Sequence, residues 1–397
     1  MNPVRFAVRS GLSPGLFLCY IYTMKEITIA GRKIGEGHPC FVVAEVSCNH
    51  RQKYDEAVKI IEAAGAAGAD AVKLQTYTPD TMTLDSDKKW FYVGGEDTPD
   101  SWKKETLYQI YQKAYTPWDW QPKLKKLAND LGMILFSTPF DATAVDFLEE
   151  MGVPCYKVAS YEATDIPLLK KIAATAKPVI MSIGFATLEE ADLAVKTLKE
   201  NGTKELAVLH CVTTYSDKPQ AKNMNLSTIA DIKKRWEVVA GFSDNNYGIE
   251  FPIAAAQAGA SIIEKHLVTK HNQGSFDDRF SIDPGEFKEM VKRIREVKEL
   301  LTDKILLGKP QYGPVSKDEE NYRRLRRSIF VAKDIKRGEK FTKENIRVIR
   351  PESGLAPKHY EEVLGKSASA DIEKATPLTR DLIAANSEGG GSETALV

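Results

Sequence analysis

The sequence alternates eight times between a short run rich in apolar and β-branched residues and a longer segment with helical periodicity. Runs that are apolar on both faces and separated by helices predict a parallel sheet covered by helices. Eight such units within roughly 260 residues predict a closed (β/α)₈ barrel, the TIM barrel of the α/β class. The predicted strands are residues 41–47, 71–77, 134–140, 156–160, 178–184, 206–212, 238–244 and 261–268. A doubly wound sheet is the alternative, but it requires a glycine-rich phosphate loop after its first strand, which this sequence lacks.

The remainder of the chain divides by composition. Residues 1–23 place two arginines before an apolar run that could pass for a weak signal peptide. The run is short and lacks a good cleavage site of small residues, so we expect a disordered extension there. We expect the barrel over 24–305, a charged linker containing Gly and Pro over 306–325, and a small β-rich module over 326–384. The Gly- and Ser-containing tail, 385–397, is expected to be disordered.

One predicted connection is unusually long. Residues 78–119 separate the second strand from its helix and contain Trp90, Trp102 and Trp118 among many Asp and Lys residues. A long loop at the C-terminal face of a barrel strand predicts a lid or a wall of a substrate site.

The charge balance argues against two classes of partner. Lys plus Arg equals Asp plus Glu at 55 each, so no bulk charge attracts nucleic acid or an anionic membrane, and we expect neither as a partner. No segment of the sequence is long and apolar enough to span a membrane. The five cysteines include no CxxC pair, which predicts buried free thiols and a cytoplasmic protein.

Polar side chains recur at the carboxyl ends of the predicted strands. These ends meet at one face of a barrel, where barrel enzymes carry their active sites. The residues concerned are Glu45, Lys73, Gln75, Ser137, Thr138, Lys157, Ser160, Glu162, His210, Tyr215, Ser243, Asn245, Glu264 and His266. This ring predicts an enzyme whose chemistry lies at that face.

Two lysines in the ring are especially informative. A lysine inside an apolar strand is costly to bury unless it is paired. Lys73 and Lys157 would converge on one opening, where together with nearby hydroxyls they predict a clamp for phosphate or another oxyanion. The hydroxyls are those of Ser137, Thr138, Ser160 and Ser243. The alternative is salt bridging within the barrel, to Glu45 or Glu264.

A second part of the ring suggests a metal ion. His266 lies on the eighth predicted strand and Asn245 follows the seventh, and Glu264 shares a strand face with His266. A histidine with a carboxamide or carboxylate oxygen can hold Mn²⁺ or Mg²⁺. A satisfied core histidine is the alternative for His266, and core is the preferred interpretation for His210 and for the cysteines near strand ends.

Six motifs, taken in order, resemble the sialic acid synthase family from about residue 25 to 383. They are Ala-Glu-Val-Ser-Cys-Asn-His (44–50), Gly-Ala-Asp-Ala-Val-Lys-Leu-Gln-Thr (68–76), Phe-Ser-Thr-Pro-Phe (136–140), Tyr-Lys-Val-Ala-Ser (156–160), Gly-Phe-Ser-Asp (241–244) and Ile-Glu-Lys-His (263–266). Each is weak alone, but six in order at strand ends are specific. The terminal module resembles the antifreeze-protein-like (SAF) domain that follows the barrel in this family.

Within the family, the chain is most similar to the pseudaminic acid synthases, through residues 73–80, 107–111, 278–283 and 350–358. Thr213 stands where N-acetylneuraminate synthases tend to have Asn, which fits a differently substituted sugar. The resemblance implies condensation of phosphoenolpyruvate with an N-acetylated amino sugar, here 2,4-diacetamido-2,4,6-trideoxy-altrose, with phosphate released by C–O cleavage. It also implies a domain-swapped homodimer in which Arg350 caps the sugar pocket of the other subunit.

The resemblance assigns roles to individual residues. The implied catalytic groups are Glu45, Lys73, Lys157 and Glu264. The implied phosphoenolpyruvate ligands are Lys73, Ser137, Thr138, Lys157, Ser160 and Ser243. The implied sugar ligands are Gln75, Glu162, Thr213, Tyr215, Asp278 and Arg350. A divalent cation, Mn²⁺ or Mg²⁺, is implied at His266 and Asn245.

One position departs from the family pattern. Sialic acid synthases usually have Ser-Asp-His where this chain has Ser243, Asp244 and Asn245. A carboxamide oxygen is a weaker Mn²⁺ ligand than imidazole, so we expect weaker metal binding or a preference for a harder ion. The alternative functions are an N-acetylneuraminate or legionaminate synthase, a barrel synthase of the 3-deoxy-octulosonate phosphate type, and a non-catalytic sugar-binding or regulatory homologue.

Overall fold

The computed structural model describes residues 25–92, 105–296 and 309–384. The predicted extension at 1–23, the predicted tail at 385–397 and Trp102 lie outside these ranges. In chain order the strands are β1 (Glu26–Ile29), β2 (Arg32–Gly35), β3 (Phe41–Glu45), β4 (Ala71–Thr76), β5 (Ile134–Pro139), β6 (Tyr156–Val158), β7 (Val179–Ser182), β8 (Leu206–Val212), β9 (Val239–Asp244), β10 (Ile262–His266), β11 (Ser328–Val331) and β12 (Ile346–Ile349). Strands β3 to β10 are parallel and close into a barrel in which β10 pairs with β3. The predicted TIM barrel is confirmed.

Helices cover the outside of the barrel, and further helices lie in the insertion after β4 and in the segments that follow the barrel. In chain order they are α1 (Tyr54–Ala66), α2 (Pro79–Met82), α3 (Leu107–Ala114), α4 (Gln121–Asp130), α5 (Ala142–Glu150), α6 (Ile166–Ala173), α7 (Leu188–Glu200), α8 (Ser227–Trp236), α9 (Glu250–Gln257), α10 (Pro284–Glu296), α11 (Lys317–Tyr322) and α12 (Tyr360–Val363). The largest buried cluster, which includes Ile61, Val72 and Leu135, lies between this helical layer and the strands. Nowhere in the described ranges is a helix both long and apolar enough to cross a membrane.

A short hairpin packs against the barrel interior, and the eight-unit pattern does not predict it. β1 and β2 pair antiparallel through a tight turn at Ala30 and Gly31, where both residues have positive φ. Ile27, Ile29 and Ile34 of the hairpin pack in one cluster with residues inside the barrel, including Phe41 and Phe136. Phe41 and Phe136 lie in the first halves of their strands, so the hairpin occupies the N-terminal end of the barrel. Inward-facing residues further along the strands are left to line the opposite, C-terminal opening.

The long insertion after β4 contains two helices. Thr78 caps α2, and Thr106 and Gln109 form a reciprocal capping box at the start of α3, which explains where these helices begin. The inner faces of both helices are buried against the C-terminal end of the barrel. The described part of the insertion is therefore packed against the C-terminal end of the barrel.

The terminal module has its own small core. β11 and β12 pair antiparallel, and residues such as Ile329, Phe341 and Leu378 pack into one cluster. Before the module, part of the predicted linker forms α11, whose Glu319 is fully buried. This segment is packed against the barrel, because the Glu319 carboxylate accepts a hydrogen bond from the backbone N–H of Thr213 at 2.9 Å.

Candidate active site

A cavity of about 200 Å³ opens at the C-terminal ends of the barrel strands. Its polar lining comes from most of the barrel strands, from the loop after β10 and from the terminal module. The polar and charged residues that line it are Glu45, Ser47, Lys73, Gln75, Lys157, Ser160, Ser182, Thr213, Ser243, Asn245, Glu264, His266, Asp277, Arg279 and Arg350. The barrel therefore brings most of the residues predicted as site residues into one space.

Two carboxylates and two lysines occupy the centre of this lining. The Lys73 ammonium pairs with Glu45, and its Nζ lies 3.7 Å from Glu264 Oε1. Lys157 Nζ lies 3.5 Å from the same Glu264 oxygen. All four side chains are at most 6% exposed, so these charges face each other with little water between them. The lysines thus form the ion pairs of the alternative interpretation, and these paired charges lie in the cavity wall, where the predicted clamp would be.

The pKa directions follow from this arrangement. Burial lowers the pKa of Lys157, and Glu264 only partly opposes that effect. For Lys73, burial acts in the same direction, but Glu264 and Glu45 outweigh it and raise the pKa. Burial would raise the pKa of Glu264, but the two lysines hold it below its usual value. Glu264 is thus a stable carboxylate between two cations.

Hydroxyl groups surround the lysines. Lys73 donates to Thr138 Oγ1 at 3.2 Å, and Lys157 donates to Ser182 Oγ at 2.8 Å. The Ser243 hydroxyl donates to Glu264 Oε1 at 3.1 Å. Ammonium and hydroxyl donors on one wall can bind a phosphate or carboxylate, which would take over hydrogen bonds now made to Glu45 and Glu264.

Beside this group lie two residues suited to a cation. His266 Nδ1 is 3.4 Å from Asp277 Oδ2, and that nitrogen is buried without a hydrogen bond to any residue in the described ranges. Burial would raise the pKa of Asp277, but the His266 ring and the Ser47 hydroxyl outweigh this and lower it. Asn245 also lines the cavity, and its Nδ2 donates to Cys211 Sγ at 3.6 Å, which leaves the carboxamide oxygen for a ligand. An unsatisfied imidazole nitrogen, a carboxylate and an amide oxygen form a donor set that fits a divalent cation.

A different group of residues meets the geometric requirement for three ligands. His271, Asp283 and Glu286 each offer one atom, and these atoms lie within 4.8 Å of one another. Asp283 and Glu286 also exchange hydrogen bonds with each other's backbone N–H at the start of α10. The described residues therefore include a group that could hold a metal ion, and two of its members also stabilise the start of α10.

The terminal module contributes Arg350, which is buried in the cavity wall of its own chain. Its Nη2 donates to Glu162 Oε1 at 2.8 Å, and its Nη1 donates to the Tyr111 hydroxyl at 2.7 Å. The guanidinium also lies 4.6 Å from the centre of the Tyr161 ring. The Nε atom is buried without a hydrogen-bond partner among the described residues, so one donor remains for a ligand.

Aromatic and aliphatic side chains form the rest of the lining. They are Tyr77, Met82, Leu107, Ile110, Tyr111, Ala114, Phe140, Ala159, Tyr161, Tyr215, Phe276, Phe280, Tyr322 and Leu325. Burial raises the pKa of the phenols of Tyr77 and Tyr215, so both stay protonated. Burial also raises the pKa of the Cys211 thiol to about 11, which favours the neutral thiol over a nucleophilic thiolate.

The structure does not bring every predicted site residue to the cavity. Phe136 points into the barrel, so Thr138 shares its face while Ser137 points outward and bonds to Thr76. Thr138 reaches the site through Lys73. Glu162 is likewise outside the cavity lining, and Arg350, which does line the cavity, donates a hydrogen bond to it.

A further difference concerns the loop after β10. Asp278 turns away from the cavity and accepts hydrogen bonds from the N–H groups of Gln273 and Gly274. Its neighbour Asp277 lines the site instead. Ser47 and Ser182 also line the cavity and were not among the predicted site residues. In the sequence, the one feature that marks these two serines as candidate site residues is that each lies at or just after the end of a strand.

His210 is a core residue, which agrees with the preferred interpretation of its position in the sequence. Its Nε2 lies 2.7 Å from the carbonyl oxygen of Met224, and burial lowers its pKa to about 4, so the ring is neutral. The described cysteines are all free thiols. Cys48, Cys155 and Cys211 are buried, whereas Cys40 is only partly so.

The chain has clear relatives among known proteins. It is 40% identical to a pseudaminic acid synthase of Campylobacter jejuni over 84% of this chain and 93% of that protein. It is 39% identical to a pseudaminic acid synthase of Helicobacter pylori over 86% of this chain and 97% of that protein. The crystal structure of the spore coat polysaccharide biosynthesis protein spsE from Bacillus subtilis superimposes with a TM-score of 0.78 at 32% identity, covering 91% of this chain and 99% of that one.

Family models agree with these relatives. The model of the SAF domain matches residues 326–384, and the model of the NeuB family matches residues 60–306. The matched residues include most of the barrel and nearly all the strand ends that line the cavity. The chain therefore belongs to the NeuB family and carries a SAF domain after its barrel.

Proposed function

We propose that this protein is a pseudaminic acid synthase. It would condense phosphoenolpyruvate with 2,4-diacetamido-2,4,6-trideoxy-altrose and release inorganic phosphate by C–O cleavage. The observation that carries the proposal is the pairing of Lys73 and Lys157 with Glu45 and Glu264 in a cavity of a NeuB-family barrel. The identity of about 40% to two pseudaminic acid synthases supports the choice of sugar.

The phosphate and carboxylate of phosphoenolpyruvate would bind at the two lysines. Ser160 and Ser243 line the same space, and Thr138 supports Lys73 from behind. Phosphoenolpyruvate is strongly anionic, so its arrival would draw the ammonium groups away from Glu45 and Glu264. Until substrate binds, the ion pairs hold the two lysine side chains in position at the cavity wall.

The reaction forms a bond between C3 of phosphoenolpyruvate and the aldehyde carbon of the sugar. The aldehyde oxygen gains a proton and becomes a hydroxyl, and a water oxygen bonds to C2. The C2–O bond to phosphate then breaks and C2 becomes a ketone carbonyl, so that one proton of the water replaces the proton taken up by the aldehyde oxygen and the other leaves with phosphate. We assign Glu45 to accept the proton of the water, because its Oε1 also accepts hydrogen bonds from Gln75 Nε2 and the Ser47 N–H, which fix its orientation. Glu264, held as a carboxylate, would stabilise the positive charge that develops at C2.

A divalent cation, Mn²⁺ or Mg²⁺, would be held by His266, Asn245 and Asp277. When bound, such an ion supplies Lewis-acid polarisation of a carbonyl oxygen. Arg350, Tyr215 and Thr213 would orient the sugar, with Glu162 positioning Arg350. We further propose a cytoplasmic homodimer in which the SAF domains exchange between subunits, as the resemblance to sialic acid synthases implies. Arg350 of one subunit would then take, in the site of the other, the position that it takes here in the cavity of its own chain.

A product assay tests the proposed function. Phosphate release and the mass of the product would be measured with phosphoenolpyruvate and either the diacetamido sugar or N-acetylmannosamine. We expect pseudaminate from the first sugar and much slower turnover of the second. Preference for N-acetylmannosamine would indicate a neuraminate synthase, and preference for a stereoisomer of the diacetamido sugar, assayed in parallel, would indicate a legionaminate synthase. No release with any amino sugar would contradict the proposal and favour a sugar-binding homologue.

A further inference from the structure

One wall of the cavity is built by a single face of α3, within the insertion after β4. Leu107, Ile110, Tyr111 and Ala114 line the cavity at the spacing of one helix face. Each of them is at most 9% exposed. The opposite face of the helix carries polar residues, including the exposed Gln112.

This wall differs chemically from the lysine region. Leu107, Ile110 and Tyr111 belong to a buried cluster with Met82 and Phe140. The two lysines and the two carboxylates that pair with them lie on strands β3, β4, β6 and β10, outside that cluster. The side chains of Leu107, Ile110 and Ala114 can donate or accept no hydrogen bond. The cavity thus has a charged part and an apolar part.

We infer that the inner face of α3 determines which amino sugar the enzyme accepts, by packing against the deoxy and acyl groups of the substrate. The inference rests on the proposed function. The aldehyde carbon must meet C3 of phosphoenolpyruvate near the lysines, so the far end of the sugar extends away from them. In the proposed substrate that end carries a methyl group at C6 and an acetamido group at C4.

The physical basis is the asymmetry between methyl and hydroxyl groups in an apolar pocket. Methyl groups gain by leaving water for the α3 face. A sugar with a hydroxyl in place of the C6 methyl would bury it against Leu107, Ile110 and Ala114 without a partner, which is unfavourable. An apolar pocket discriminates against an added hydroxyl by about 100-fold, so the selectivity due to this wall is expected to be of that order.

Two substitutions test the role of α3 and one serves as control. Ile110→Thr and Ala114→Ser each place a hydroxyl on the inner face, whereas Gln112→Ala changes the outer face of the same helix. Initial rates would be measured with the diacetamido sugar and with N-acetylmannosamine at saturating phosphoenolpyruvate, and with varied phosphoenolpyruvate at saturating diacetamido sugar. The readout is the ratio of kcat/KM for the two sugars, together with KM for each substrate.

We expect both inner-face variants to lower this ratio by about 10-fold or more, mainly through a higher KM for the diacetamido sugar. KM for phosphoenolpyruvate should stay unchanged, which also shows that the variants are folded. Gln112→Ala should match the native chain. A ratio that stays constant in both inner-face variants would overturn the inference while leaving the proposed function intact. Absence of turnover with either sugar in the native chain would overturn both.

Discussion

Arg350 of the SAF domain and Glu162 after strand β6 form a buried ion pair, with Nη2 and Oε1 2.8 Å apart. Neither side chain is more than 7% exposed. A second arginine of the SAF domain, Arg327, lies 3.6 Å from the same carboxylate. Ion pairs therefore connect the barrel to the SAF domain at the edge of the cavity, and one of the paired residues, Arg350, also lines the cavity.

This pair predicts a strong effect of removing either partner. Arg350→Ala should lower kcat/KM by about 100-fold and raise KM for the sugar, because it removes a ligand and leaves a buried carboxylate with one cation fewer. Glu162→Gln should act in the same direction through the misplaced arginine. The double variant should lose less than the sum of the single losses. Arg347→Ala, an exposed arginine on β12, is the matched control. Additive losses would show that the pair is not coupled in the reaction.

The proposed exchange of SAF domains can be tested by complementation. Lys157→Met disables the barrel part of the site, and Arg350→Ala disables the SAF part. In a swapped dimer, a mixed pair contains one site built from two intact parts, so co-expressed variants should recover about a quarter of native activity. If each SAF domain serves its own barrel, every site carries one defect. Absence of recovery in a dimer shown to be mixed would then contradict the exchange.

The ligand set at His266 predicts weak metal binding that one substitution improves. Asn245→His replaces a carboxamide oxygen with an imidazole nitrogen, a better ligand for Mn²⁺. We expect a tighter Kd for Mn²⁺ by about 10-fold, measured by titration calorimetry, and a smaller change for Mg²⁺. His266→Ala should abolish binding at this site. Asn129→His, on the exposed side of α4, is the control for an added histidine. Equal Mn²⁺ affinity in the native chain and Asn245→His would refute the expectation.

Glu319 on α11 predicts a pH dependence of stability. Burial raises its pKa from 4.5 to about 7, only partly offset by hydrogen bonds from the N–H groups of Val315 and Thr213. The folded state thus holds this proton more tightly than the unfolded chain between these two pH values. The free energy of unfolding should fall by about 3 kcal/mol as pH rises through that window, and change little from this group above it.

Glu319→Gln cannot ionise, so it should flatten this part of the stability profile. Thermal unfolding at pH 5 and pH 8 would measure the difference. Glu320→Gln, at the exposed neighbouring position, should retain the native slope. A slope that persists unchanged in Glu319→Gln would show that this carboxyl is not the responsible group.

The barrel and its polar ring could be predicted because strand side chains obey a period of two and parallel strands end at one face. This placed Lys73, Lys157, Glu264 and His266 in one site without knowledge of their contacts. Thr138 and Ser137 show the limit of that reasoning. Both end the same strand, and only the observed orientation of Phe136 reveals which of them shares the side of Lys73.

The sequence could not predict the orientation of side chains in loops or the contacts between distant segments. Asp277 and Asp278 are adjacent and chemically identical, and a loop has no fixed period, so only the tertiary structure decided that Asp277 faces the cavity. The same holds for Glu162, which meets Arg350 across 188 positions of chain. The sequence alone determined the architecture and the kinds of chemical group at the strand ends, because local periodicity encodes both. Only the tertiary structure decided which of those groups touch, because such contacts depend on the packing of distant segments.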